Sequence, residues 1–359
     1  MGTRVPGRIV AVCVLIAVAM SMTGCKKLLS GLKKKGADAG VATTTTELTG
    51  QDLADEQLQE KLDDYIKCLN TLASSIHQSR QRYLSAVPRT GPTGREASVT
   101  LPRLPTGATG TCAAGMTRAK TLPPSETALE DAGAEFSASA TEVEQVITEL
   151  NPYFELRLFR DDKWAKGKAS HPRLMSAWER FSKADKGLHD ALDGITKPLA
   201  QRVLARIERE DGKKFRYSRK KVLITARELV EASDPIGDDD DVDPSLYTAS
   251  YTALDKALDE LVAYGSMNKT ELSNPNSPAF PMASSNYDSF VREATDFKKA
   301  AKDYWRCLQD APAKAKTPSG KIDLDKLGYC GGAPAWKTAD KVVSEYNVFI
   351  RTSNAHQFP

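Results

Sequence analysis

Four histidines, His77, His171, His189 and His356, are the chain's only imidazoles. None begins an H-E-x-x-H or H-x-x-E pattern, the spacing that sets zinc ligands on one helix face, so zinc hydrolysis has no local signature. The strained turn G-x-S-x-G of serine hydrolases is absent, and the many carboxylates offer no obvious glycosidase pair. Asp238-Asp239-Asp240-Asp241, flanked by Asp234 and Asp243, is the densest charge run. It has oxygens for Ca²⁺ but neither the ligand alternation nor the turn glycine of an EF-hand loop, and it reads as a solvated loop. Gly91-Pro92-Thr93-Gly94-Arg95-Glu96 lacks the G-x-x-x-x-G-K-[ST] spacing of a phosphate loop and reads as a turn. No catalytic residue, metal ligand or cofactor is assigned.

One segment has the composition of a recognition loop. Arg160-Asp161-Asp162-Lys163-Trp164-Ala165-Lys166-Gly167-Lys168 combines acids, bases and an aromatic with a glycine. In the functional reading Asp161, Asp162, Trp164, Lys166 and Lys168 form the site, with Trp164 as apolar area and the two lysines on an anionic group. The structural reading has Trp164 stapling one helix to the next while Asp161 or Asp162 caps. It has the greater weight, because tryptophan is more often buried than displayed.

The six cysteines divide by place. Arg4 and Arg8 precede an apolar run, Ile9 to Met20, which is too short to span a bilayer and suits the core of a secretion signal. It ends in Met22-Thr23-Gly24-Cys25, which resembles a bacterial lipobox; such a motif implies diacylglycerol on the Cys25 thiol and cleavage just before it. Residues 1–24 are then a signal peptide, and 25–50 a lipidated tether carrying Lys26, Lys27, Lys33, Lys34 and Lys35. Cys68, Cys112, Cys307 and Cys330 remain, an even number for an oxidising periplasm. Three pairings are open. Cys68–Cys112 with Cys307–Cys330 is preferred, because each then ties a helix to the loop after it.

These residues need a frame. The 359-residue chain carries 50 basic and 47 acidic side chains, and cleavage of the signal leaves 48 against 47. That near-neutral balance, with few aromatics, gives no sign of a nucleic-acid binder. From Leu53 to Val87 apolar residues recur at steps of three and four, and Pro88 ends the run. Further helices are expected from Pro124-Ser125 to Asn151-Pro152, from Pro172 through Leu192, and over Ile195–Glu210 and Tyr217–Ala232. Others are expected from Pro244 through Leu261, over Tyr287–Leu308 and over Ala335–Arg351. No stretch alternates with period two between hairpin turns, so no sheet is expected. The expectation is an all-α fold. It would be an elongated antiparallel bundle over residues 51–355, or two bundled halves divided near 233–244, with long disulfide-closed loops. Tyr65-Ile66-Lys67-Cys68-Leu69 and Tyr304-Trp305-Arg306-Cys307-Leu308 echo one another, without longer self-similarity.

Several of these pieces resemble the YiiG-like bacterial lipoproteins, a family with a domain of unknown function. The resemblance rests on Tyr65 to Asn70, Ser79 to Tyr83, Gly91 to Glu96, Arg160 to Lys168, His171-Pro172 with Ala177-Trp178, and Tyr346 to Ile350 with Ser353-Asn354. It spans about residues 55–355 and implies an all-helical, membrane-anchored periplasmic protein, with no catalytic residue to carry over.

The expected function is therefore a lipid-anchored, non-enzymatic protein that binds an envelope protein or ligand. The rival is an envelope hydrolase whose carboxylates assemble only in the fold. Lys26, where inner-membrane lipoproteins often carry Asp, favours the outer membrane.

Overall fold

The computed structural model describes residues 49–233, 241–268, 272 and 283–355. Cys25, the expected tether up to residue 48, Asp234 and Asp238–Asp240 lie outside the described residues, as does most of the expected break at 233–244; Thr49 and Gly50, expected in the tether, instead cap and open the first helix. The described chain is helical almost throughout, and local chemistry explains where helices start. Helix α1 spans Gly50–Leu84. Its entry is a reciprocal cap: Thr49 N–H donates to the Asp52 carboxylate at 3.0 Å, and Asp52 N–H donates to the Thr49 hydroxyl at 3.2 Å.

Helix α2, Ala108–Lys120, lies in a region read as loop. Its buried face is Ala108, Thr109, Cys112, Met116 and Ala119, mostly small residues that give little hydrophobic period. Cys112 is therefore on a helix, not in a loop. Helix α3 covers Thr127–Glu155 and ends near the expected Asn151-Pro152, with Pro152 inside its last turn.

The largest departure is helix α4, Ala165–Asp211, a single helix of 47 residues where two were expected. Its start precedes Pro172 because Asp162 caps the first turn, accepting from Lys166 N–H at 2.9 Å. It continues through Pro198 because Leu188, Leu192, Leu199, Val203 and Ile207 keep one buried stripe on both sides of the proline. Packing of that stripe outweighs the lost backbone bond.

The chain divides into two compact units, residues 57–197 and a second joining 50–56 with 198–233 and 241–355. In the first, α1, α3 and α4 share an aromatic core: Tyr83 meets Phe154 and Trp178 with centroids 5.7 and 5.5 Å apart, and Phe136 meets Phe181 at 5.2 Å. Lys61 is fully buried, and its ammonium donates to Leu122 O, Pro124 O and Glu130 at 3.1, 2.9 and 2.5 Å. The disulfide Cys68–Cys112 joins α1 to α2.

In the second unit α5 (Phe215–Ser233), α6 (Pro244–Met267), α7 (Ala283–Gln309) and α9 (Ala335–Ala355) pack in a closed cycle. Asp243 caps α6, accepting from Ser245 N–H at 2.9 Å, with Pro244 at the first helical position. A ladder of Asp52–Arg209, Asp55–Arg202 and Glu56–Arg206, at 3.0, 2.9 and 3.3 Å, fastens the start of α1 to the end of α4. Short elements complete it: α8 (Leu324–Leu327) and two ribbons of two-residue strands. The ribbons pair β1 (Asp241–Val242) with β2 (Ile322–Asp323) and β3 (Tyr329–Cys330) with β4 (Ala333–Pro334). Asp241 is thus ladder-paired with Asp323, and the second disulfide, Cys307–Cys330, joins α7 to β3. Among the described residues no helix is long and apolar enough to cross a membrane.

Candidate functional site

The first unit carries a surface groove of about 670 Å³, within the range of ligand sites. One wall is the connection between α1 and α2, from Ser98 to Arg103; the other is the end of α3, with Asn151, Phe154, Glu155 and Arg157. The first wall is extended because Leu101 and Leu104 each precede a proline, which disfavours the helical region. Ser98 and Thr100 are exposed while Val99 and Leu101 are buried, the alternation of a half-buried strand. Two side chains pin it: Asn151 donates to Leu101 O at 2.8 Å, and the Ser79 hydroxyl donates to Pro102 O at 2.8 Å. Arg103 lines the groove and donates from Nε to Asn151 at 2.6 Å.

Beside the groove lies the segment 156–168, the candidate recognition loop. Trp164 is 4 % exposed, 4.3 Å from Phe159 between ring centroids, so it staples the loop and is not on display. Asp162 accepts from the Tyr153 hydroxyl and Trp164 N–H, each at 2.9 Å, as well as from Lys166 N–H. Burial pushes its carboxyl up, but these donors outweigh it and hold the group below its ordinary value. Gly167 is required by closeness: a Cβ there would lie 3.0 Å from Trp164 and 3.3 Å from Tyr153. Arg157, Lys163 and Trp164 have φ of 56°, 53° and 70°, and among the described residues no other side-chain-bearing residue has positive φ. Such backbone persists only where packing over-determines it, and it gathers at functional sites. Lys166 and Lys168 remain exposed on this frame, and Asp161 stands exposed beside them.

The turn Gly91 to Glu96 meets the same loop. A Cβ on Gly94 would lie 3.8 Å from Trp164 and 3.9 Å from the Lys168 ammonium. Its N–H groups already serve the chain's own carboxylate, for Glu96 accepts from Thr93 and Gly94 at 2.7 and 2.9 Å. A phosphate cradle is thus ruled out at this turn. His171 ties it down from α4: Nε2 donates to Arg89 O at 2.9 Å, and Nδ1 accepts from the Tyr83 hydroxyl at 3.0 Å.

Charge follows from this wiring. Arg95, Arg103, Arg157, Arg160, Lys163, Lys166 and Lys168 are all exposed, and among the described residues no ion pair joins any of them to a carboxylate. Glu96 and Asp162 are spent on N–H donors, which leaves Glu155 and Asp161 as the exposed acids of the two loops. This end of the unit is basic although the whole chain is nearly neutral. Arg103, Arg157 and the Ser98–Leu101 wall were not anticipated from sequence; the spacing of Pro102 and Pro105 was the available signal.

A second cluster lies between α1 and α4. His77 Nε2 is 2.7 Å from Asp185 Oδ2, and His189 Nδ1 is 3.3 Å from Asp185 Oδ1 and 2.9 Å from the Asp185 carbonyl. Asp185 and His189 are buried, with Phe181 edge-on to His77 at 5.5 Å. Among the described residues no three His, Cys, Asp or Glu side chains gather as a metal site requires.

The chain matches the family described as "Protein of unknown function (DUF3829)" over residues 56–355. It is 25 % identical over 332 residues to the "Uncharacterized protein YiiG" of Escherichia coli (strain K12), which covers 90 % of this chain and 86 % of that protein. No solved structure matches it.

Proposed function

Because the chain belongs to the DUF3829 family, for which no activity is described, we propose its function from its own site: a lipid-anchored, non-enzymatic binding protein of the cell envelope. It faces the periplasm and engages a partner through the groove between residues 98–103 and 151–157. The observation that carries this reading is the coincidence of that groove with seven exposed, carboxylate-free cations and three residues of strained backbone. Binding residues are found disproportionately on loops positioned by a rigid scaffold. Acylation at Cys25 supplies the anchor, with the outer membrane favoured by Lys26.

Photoreactive residues placed at Thr100 and at Arg157 in the anchored protein test the site in living cells, with exposed Thr71 as the control position. Discrete adducts from the first two and none from Thr71 are expected. Equal yields at all three would refute the groove as the site.

The His77–Asp185 pair supports a second reading, a hydrolase in which Asp185 orients His77 as a general base. His77 is 18 % exposed, so one face reaches solvent. A hydrolytic activity toward envelope substrates that disappears in His77→Gln, with the fold intact, would favour it.

A further inference from the structure

The groove's wall has a chemistry of its own. Among the described residues the N–H and C=O groups of Ser98, Val99 and Thr100 meet no protein partner, although these residues are extended and alternate in burial. An extended backbone with open donors and acceptors is a template for a further strand. Natural proteins blunt such edges with charge, proline or a covering element. Pro102 ends the template at one side, but nothing among the described residues covers Ser98 to Thr100. Arg103 and Arg157 stand on the two walls, with Glu155 the opposing charge, and Arg160, which donates to Ala97 O at 3.3 Å, flanks the entrance.

Resting on the groove reading above, we propose that the occupant is an acidic polypeptide segment that adds as an extended strand to Ser98–Leu101. Main-chain hydrogen bonds to the open groups of residues 98–100 give it register. Its carboxylates meet Arg103 and Arg157, which choose acidic over basic sequences. Alternate side chains of the added strand face the groove, where Phe154 supplies apolar floor and Val99 and Leu101 back the wall.

The test uses the whole mature chain, without its acyl groups, and a synthetic peptide alternating Glu and Val. Binding is read by calorimetry and by hydrogen exchange of residues 98–101. Saturable binding is expected, with slowed exchange at those amides. Affinity should fall about tenfold or more in the doubly reversed variant Arg103→Glu/Arg157→Glu and measurably in Arg157→Glu alone. A peptide of identical sequence with N-methyl groups on alternate residues should bind at least tenfold more weakly, because it cannot pair. Equal binding of the methylated peptide, or of a Lys–Val counterpart, would overturn strand addition. Binding of anionic vesicles without binding of the peptide would overturn it in favour of a lipid surface. Those outcomes leave the groove reading standing if Thr100 still yields adducts in cells; loss of the adducts removes that reading itself.

Discussion

Between His77 and His189, the Asp185 carboxyl exchanges water for two imidazoles. Burial pushes its pKa up, but hydrogen bonds from His189 and His77 outweigh burial and bring it down to about 2. Burial pushes His189 down, and the bond to Asp185 outweighs that and raises it above 6.5. The carboxyl, depressed in the fold, stabilises above its ordinary 3.8, and that contribution is lost as pH falls toward about 2. The imidazole, raised in the fold, stabilises below 6.5, and that contribution fades as pH climbs through its folded value. Between those limits both hold. Asp193, which also raises His189, adds to the same trend. Asp185→Asn should therefore cost about 3 kcal/mol in urea unfolding near pH 5.5, as removing one member of a buried pair does. It should also abolish the extra stability of the wild type at about pH 5.5 over about pH 8. An unchanged pH dependence in the variant would contradict this account. None of this pairing was legible in sequence: His77 and Asp185 are 108 residues apart, and only the fold sets them on facing helices. Trp164 was legible, because tryptophan is more often buried than displayed, and the structure buries it against Phe159.

Helices were easiest to read where large apolar residues carried the period, as in α1, and hardest where small ones did. In α2 the face is built from alanine, threonine and cysteine with a single methionine, Met116, so burial left no strong mark in the composition. In α4 both the start and the continuity were misread. Pro172 looked like a start and the stretch between Leu192 and Ile195 like a break, yet the cap at Asp162 and the buried stripe from Leu188 to Ile207 decide the helix. Asp162 is the most testable part of this element. Asp162→Ala should cost about 1–2 kcal/mol and speed hydrogen exchange of residues 163–168, since it removes two backbone bonds and the Tyr153 contact. Slow exchange at Lys166 in that variant would show that packing of Trp164 alone holds the loop. The site's other half was illegible for a different reason. An extended wall with no neighbouring strand has no hairpin turn or long alternation to announce it, only two prolines.

At the scale of the whole molecule, each compact unit has one disulfide, in the pairing preferred from sequence. The bridges close separations of 44 and 23 residues, which corresponds to about 4 and about 3.4 kcal/mol of loop closure. The cysteines of the echo thus serve alike: Tyr65 and Tyr304 are buried one turn before them, and Leu69 and Leu308 are buried just after. Charge shows the same need for the fold. A chain of net +3 gives no hint of a basic end, because that end arises when Glu96 and Asp162 turn inward to backbone donors and leave the lysines and arginines outward. On the proposed reading, what such a surface meets depends on acylation of Cys25. Intact-mass analysis of the N-terminal peptide from the full-length precursor, made in a bacterial host and recovered by detergent partition, addresses this directly. The account predicts a chain that begins at Cys25, carries diacylglycerol on its thiol and enters the detergent phase; a chain that keeps residues 1–24, or a free Cys25 thiol in the aqueous phase, would contradict it.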